Sequence, residues 1–454
     1  MSVLLLVGAC LATGLAIRLL RRWPRLVFVA TSIGSAALML ILVTASSEPF
    51  VFLGRTVRLD FAGRIFLWPA IGTAAVLAFF GPLTFERAGN TPALALANSQ
   101  GAFFFLSLAP LIVAIALDSF PIAAFFWAIG LMLLMLVAQP RRESRAGGAA
   151  QFLLLTIIAT ASLLLSNGYL DLYPLTPENL ELVRAAFLLL VWGLGLLLAV
   201  VPLHIWLGPL SDEMPLLGMA FLVSVGQPVG LWLLFQLMSR MLWLTEKSPL
   251  LNTLLLAGIV TVPVGAVLAL AEQRRGRFLA YLSLVSLGHA LIGFGLGTKV
   301  GLAGAMLVVL NRALGVALIA GGMSFVYHHV ERRWQLIGAT AILAGGFALA
   351  GIALAPGVAA RWGIYHELAA THPILLALLF ASSAVVLLAV VRMVKPIFSS
   401  AEEMIESTGE IKVVPYLATA VIAVLLVIVL IAGLFPQWLA NPLIETLGQA
   451  DYLR

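Results

Sequence analysis

Charge of either sign is scarce in this chain. Only 10% of its 454 residues are Asp, Glu, Lys or Arg, against roughly 25% in a soluble globular protein. Cysteine is reduced to Cys10, which excludes an internal disulfide framework and a thiolate metal cluster. Within the apolar runs the carboxylates and lysines are the scarcest groups. The segment FLLLVWGLGLLLAV at 187–200 carries no ionisable group. There is no Gly-rich phosphate loop and no histidine pair spaced i and i+4, so the chain offers no visible means of holding a nucleotide, flavin, haem or iron–sulfur centre.

What is present is apolar. Hydrophobic residues make up 62% of the chain and the mean hydropathy is +1.10. Runs of about 20 residues, the length that crosses the hydrocarbon core, recur from end to end. The pattern predicts an all-α polytopic membrane protein of about 14 transmembrane helices. Their extents are 3–21, 26–46, 63–83, 96–117, 119–139, 148–168, 182–207, 213–240, 249–271, 278–297, 300–326, 335–357, 373–396 and 413–435. The segment from Glu48 to Asp60 surrounds Gly54 with Val51, Phe52, Val57 and Leu59 and reads as a small hairpin. The most polar loop is 399–412, with Glu402, Glu403, Glu406 and Glu410.

The formal charge of +6 does not point to nucleic acid, because the basic residues cluster between apolar runs, where they set topology and meet lipid headgroups. Loops after odd-numbered spans hold Arg141, Arg142, Arg145, Arg274, Arg275, Arg277, Arg332, Arg333, Arg392 and Lys395. By the positive-inside rule they are cytoplasmic and both termini are outside, in a multi-pass protein of a prokaryotic cytoplasmic membrane. The first run has no basic residue before it. Arg18, Arg21, Arg22 and Arg25 follow it, so it is expected to be a span and not a cleaved signal.

Two spans look broken. Span seven carries Pro202, Gly208 and Pro209, and span twelve carries Gly351, Pro356 and Gly357 with Arg361 beyond. Proline removes a backbone donor and clashes with the preceding turn. Interruptions at corresponding places in two halves are the pattern of inverted-repeat transporters, although simple proline kinks give a similar pattern. The expected organisation is an N-terminal unit, 1–95, with three helices and the hairpin. Two five-helix repeats follow at 96–240 and 249–396, with broken helices seven and twelve, and an acidic loop and last helix occupy 397–454.

Several stretches resemble the antiporter-like membrane subunits of respiratory complex I, Mrp antiporters and membrane-bound hydrogenases. VPLHIWL at 201–207, followed by Glu213 and Pro215, resembles their Pro-Phe-His-x-Trp-Leu-Pro segment. RFLAYLSLVSLGHALIGFGLGT at 277–298 resembles Arg-Leu-Leu-Ala-Tyr-Ser-Ser-x-x-x-x-Gly, and GLAGAMLVVLNRALGVALI at 301–319 resembles the helix reading Leu-Asn-His-Ala-Leu-x-Lys-Ala. ALAGIALAPGVAARW at 348–362 resembles the broken helix twelve, and FLGRTVRLDFAGRIF at 52–66 the segment before helix three, with its aspartate at Asp60. The resemblance implies 14 helices in two inverted repeats. It also implies a proton relay in which a helix-five glutamate pairs with a helix-seven lysine, and further ionisable groups continue across the bilayer midplane.

The chain departs from that pattern at the relay. The glutamate falls on Ala128, after Trp127. The helix-seven lysine falls on Leu197 and the helix-eight lysine near Val225. On helix eleven the histidine becomes Arg312 and the lysine Val316. The helix-twelve position keeps a charge as Arg361. Arginine holds its proton at physiological pH, so Arg312 and Arg361 cannot load and release protons as lysines do.

Each remaining candidate has a structural and a functional reading. Arg361 either snorkels to a headgroup or acts as a fixed charge, and Arg312 is expected to be a paired interior charge. His204 is either a structural histidine with a satisfied hydrogen bond or a surviving relay member, and His289, near Ser283 and Ser286, is a candidate for lining a polar path. Gln227 and Pro228 read as a helix break with polar compensation. Asp212 and Glu213 read as loop or capping groups, and Glu86 with Arg87 as a surface pair. His328 and His329 lack nearby ligands for a metal.

Two functions follow. The first is an antiporter-like subunit of a complex I-type assembly whose relay is lost and whose role is structural or connecting. The second is an active proton or cation transporter subunit, Mrp-like or partnered in bicarbonate uptake, using His204, His289, Gln227 and water. Either way the expected partners are other membrane-arm subunits and lipids, and redox cofactors and quinone are expected on the partners.

Overall fold

The computed structural model describes residues 2–45, 48–52, 54–81, 92–138, 147–328, 332–352, 355–399 and 413–447. The pair Glu86 and Arg87, the arginines 141, 142 and 145, His329 and most of the acidic loop lie outside them. Backbone groups in hydrocarbon have no water to bond, so a chain this apolar closes its hydrogen bonds within helices. Twelve described helical segments are long and apolar enough to cross a bilayer, and Gln100–Ala116 is a shorter apolar helix.

The first described elements are α1 (Ser2–Leu19), α2 (Pro24–Val43), a hairpin of β1 (Phe50–Phe52) and β2 (Arg55–Val57), and α3 (Phe61–Phe80). The hairpin falls where the sequence predicts it, with Gly54 at its turn. Asp60 caps α3, its Oδ1 accepting from the Gly63 backbone N–H at 2.7 Å. The chain continues through α4 (Pro92–Ala116), α5 (Phe120–Leu134), α6 (Gly148–Leu172) and α7 (Leu180–Leu198).

The predicted span seven, 182–207, stops short. α7 ends at Leu198, Ala199 takes a left-handed φ of 61°, and a 3-10 turn (Leu203–Trp206) leads into α8 (Leu207–Glu213). The predicted span eight is also segmented, into α9 (Leu216–Phe221), a π-helical turn (Leu222–Gly226) and α10 (Gln227–Arg240). Pro215 caps the first piece, where a proline lacks no needed donor, and Pro228 lies just beyond the π-helical turn, inside the continuous helical segment. The short α11 (Leu242–Lys247) follows, which the sequence reading did not anticipate.

The second half contains α12 (Leu250–Ala271), α13 (Arg275–Gly295), α14 (Lys299–His328) and α15 (Arg332–Ala350). The predicted span 335–357 breaks at Gly351, and α16 (Pro356–Thr371) resumes beyond it. α17 (Pro373–Ser399) and α18 (Val413–Leu434) complete the long helices, and a further helix, α19 (Gln437–Leu447), follows.

The segments 216–240 and α13 are almost wholly enclosed and α14 nearly so, while α1, α2, α6, α12, α17 and α18 keep most of their surface outward. Helices α14 and α15 touch backbone to backbone: a Cβ on Gly322 would stand 2.5 Å from the Gly338 carbonyl oxygen. Small residues permit this approach where no hydrophobic force drives helices together.

Candidate functional site

A helix ending inside a membrane leaves its last carbonyls without donors. At the first break those carbonyls are claimed by side chains. The Trp206 indole N–H donates to the Leu196 carbonyl at 2.7 Å, and the Gln227 amide donates to the Leu198 carbonyl at 3.1 Å. The Trp206 ring packs on Phe152, with centroids 4.5 Å apart. Gln227 is fully buried, and its remaining oxygen accepts from Nη2 of Arg312. One neutral amide thus joins the end of α7 to the middle of α14.

The far end of this break is tied down by charge. Glu213 is buried and accepts from the backbone N–H of Ala149 at 2.9 Å, in the first turn of α6, where a carboxylate complements the helix dipole. Its neighbour Asp212 bonds Arg274 at 2.8 Å and Arg277 at 2.5 Å, at the start of α13. The capping role therefore holds for Glu213, at a helix distant in sequence, while Asp212 is held by two arginine side chains.

The second break is closed similarly. Arg361 donates through Nη1 to the Ala350 carbonyl at 2.7 Å and to Ser383 Oγ at 3.2 Å, and through Nη2 to the Leu349 carbonyl. Asn311 donates to the Ala348 carbonyl at 2.8 Å. Arg361 is 1% exposed, so the snorkelling alternative is corrected: the cation sits inside, at the C-terminal end of α15, where the helix dipole is negative. Gly351, at φ 74°, makes room for it, since a Cβ there would lie 2.7 Å from Nη1.

Arg312 is also 1% exposed. The sequence reading expected a charge partner. Its partner is the Gln227 amide, and no carboxylate lies within ion-pair distance among the described residues. Its Nε and Nη1 are buried without a hydrogen-bond partner among them. The scarcity of acidic residues in the spans is the physical reason.

His289 is fully buried on α13. Its Nδ1 lies 2.7 Å from the Val285 carbonyl oxygen and its Nε2 3.1 Å from the Tyr365 hydroxyl on α16. A carbonyl can only accept, so Nδ1 carries the proton and the phenol donates to Nε2. Ser283 turns back to the Ala280 carbonyl, while the buried Ser286 hydroxyl has no partner among the described residues. The sequence reading missed Tyr365. Its signal was its place four residues beyond Arg361, one turn along the same helix face. His204 is half-buried and keeps a backbone hydrogen bond with Pro202, while its Nδ1 is buried without a hydrogen-bond partner among the described residues. Among those residues no group of three or more His, Cys, Asp or Glu converges.

The four neutral positions lie in packed interior. Ala128, Leu197, Val225 and Val316 are each 2% exposed or less. Trp127, beside Ala128, donates its indole N–H to the Gly226 carbonyl at 2.7 Å, locking α5 to the π-helical turn.

The sequence profile of the NADH:quinone oxidoreductase/Mrp antiporter transmembrane family matches residues 116–404. The chain belongs to this family. Among curated members it is 30% identical over 277 residues to NADH-quinone oxidoreductase subunit N of Desulforudis audaxviator, covering 56% of this chain and 54% of that one. It is 26% identical over 364 residues to hydrogenase-4 component B of Escherichia coli, covering 72% and 53%. The chain thus spans about half the length of the curated relatives it matches. A chain of the archaeal membrane-bound sulfane sulfur reductase superposes with a TM-score of 0.78 at 17% identity, covering 99% of this chain and 98% of that one. A chain of the Mrp complex from a Dietzia species gives 0.77 at 17%, covering 99% and 98%. One of respiratory complex I from Thermus thermophilus gives 0.74 at 20%, covering 96% and 99%. These structures share the polytopic antiporter-like fold.

Proposed function

We propose that this chain is an antiporter-like transmembrane subunit of a complex I-type ion-translocating assembly, in which it connects neighbouring membrane subunits and carries little or no proton current. The observation that carries the reading is the closure of both helix breaks by fixed side chains. A relay needs groups that change protonation, and a neighbouring opposite charge is what switches them. Here Gln227, Asn311 and Trp206 do not titrate, and Arg361 is committed to carbonyls. The interior at Ala128, Leu197, Val225 and Val316 is apolar.

In this reading the two halves, 96–240 and 249–396, are inverted repeats, the basic loops face the cytoplasm, and both termini lie outside. Partner subunits hold the redox cofactors and the quinone. The decisive experiment restores the relay with Ala128→Glu and Leu197→Lys together and measures ions pumped per electron by the assembled complex. A rise over the native complex supports the reading. A native complex that loses pumping, yet stays assembled, when His204 alone becomes Ala overturns it.

A second reading, a transporter subunit with a rerouted path, is favoured by one set of observations. Ser286, His204 Nδ1 and two nitrogens of Arg312 are buried polar groups without partners among the described residues, and such groups call for water. The His289–Tyr365 bond would join that path. Loss of ion transport in His289→Gln, with assembly intact, is its signature.

A further inference from the structure

A groove of about 950 Å³ lies between α2, α3, α14 and α18. Its walls are aliphatic and aromatic, and Ser32 and Thr73 are the polar exceptions. We propose that this groove holds the acyl chains of an anionic phospholipid whose phosphate is bound at its rim by Arg25 and Arg333.

The depth of the groove selects a lipid. Along α2 it runs from Phe28 to Met39 and along α3 from Trp68 to Phe79, each about 16 Å, and along α18 from Leu417 to Ala432, about 22 Å at 1.5 Å per residue. That is between half and three quarters of a ~30 Å hydrocarbon core. A membrane-spanning helix from a partner needs a trough of the full thickness. An acyl chain reaching in from one face does not.

The rim selects the headgroup. Phe28 and Phe79 line the groove, and a run of aromatic contacts, mostly buried, lies behind it between α3 and α18. Phe28 lies 5.8 Å from Phe79, Phe80 6.3 Å from Phe325, Phe325 6.2 Å from Trp334, and Trp334 5.2 Å from Tyr416. Tyr416 is half exposed, as aromatic side chains at the membrane–water boundary are. Arg25 is exposed and sits one turn before Phe28 and Val29 on the same face of α2. The Arg333 guanidinium lies over the Trp334 and Tyr416 rings, 4.6 and 5.9 Å from their centroids. Tyr416 adjoins Leu417 of the groove wall. An arginine next to the α2 wall and another next to the start of the α18 wall, at the mouth of an apolar trough, match a phosphodiester with its tails below. Guanidinium recognises phosphate through paired donors, and basic pockets between helices are a recognised means of anionic-lipid binding.

The test is native mass spectrometry of the full chain in detergent, titrated with phosphatidylglycerol or phosphatidylcholine. The expected result is one retained phosphatidylglycerol per chain, with an affinity at least about tenfold above phosphatidylcholine. Arg25→Gln with Arg333→Gln should remove that preference without altering the unfolding temperature of lipid-free protein. Ala420→Trp, at an exposed position on the groove wall, should abolish retention of both lipids. Equal retention of the two lipids, or undiminished phosphatidylglycerol binding by Ala420→Trp, overturns the proposal. So does a groove filled by another subunit's helix in the assembled complex.

Discussion

The guanidinium of Arg312 donates to the side-chain oxygen of Gln227, whose amide in turn donates to the carbonyl of Leu198, the last residue of α7. A buried cation therefore helps hold a broken helix end without any carboxylate between them. Removing the middle member should be costly. Gln227→Leu leaves a carbonyl and a guanidinium unsatisfied and is expected to lower stability by about 2–4 kcal/mol. The double variant Gln227→Leu/Arg312→Met removes both buried polar partners and should cost less than the sum of the two single changes, by about 1–3 kcal/mol. Equilibrium unfolding in mixed detergent micelles measures both, and strict additivity would refute the coupling.

Arg361 is expected to behave as a cap and not as a proton carrier. Arg361→Met frees the Leu349 and Ala350 carbonyls and should destabilise by about 2–5 kcal/mol. Arg361→Lys supplies a compact ammonium, with its three donors on a single nitrogen, in place of a planar fork and should recover only part of that. The same unfolding assay reads the loss. Unchanged stability together with altered ion flux would contradict the capping role.

Gly351 serves the same cap in two ways. Its left-handed φ costs a residue with a Cβ about 1–2 kcal/mol, and the Cβ would press on Arg361 Nη1. Gly351→Ala should therefore destabilise the native chain by more than it destabilises the Arg361→Met variant, in which the contacts with Nη1 and Cζ are gone. A double-mutant cycle checks the difference.

Much of the architecture was legible in the sequence, because spans, breaks and hairpin are local properties. Pro202 and Pro356 each mark a helix that cannot continue, and apolar runs of bilayer length need no tertiary information. What closes the breaks was not legible. Trp206 bonds back across ten residues, Gln227 reaches Leu198, and Asn311 reaches Ala348, pairings set by which helices lie side by side. The expected charge partner for Arg312 failed for a related reason: a neutral amide can satisfy a buried guanidinium, and an amide gives no charge signal in sequence. Tyr365 was missed because its bond to His289 spans two helices.

Glu213 gives a local test of the first break. Glu213→Leu removes the acceptor for the Ala149 amide and the charge complementing the α6 dipole, at a cost of about 1–3 kcal/mol. Hydrogen exchange should show the first-turn amides of α6 opening faster, while those near Ser166 keep their protection. Uniform loss of protection along α6 would mean that Glu213 supports more than this helix end.

The most direct measurement of the central claim is proton flux in proteoliposomes containing the full chain, driven by a potassium diffusion potential and read with an internal pH dye. The account predicts flux no faster than in protein-free vesicles for the native chain, and faster flux for Ala128→Glu/Leu197→Lys. Rapid flux through the native chain, abolished by His204→Gln or His289→Gln in correctly folded protein, would contradict it.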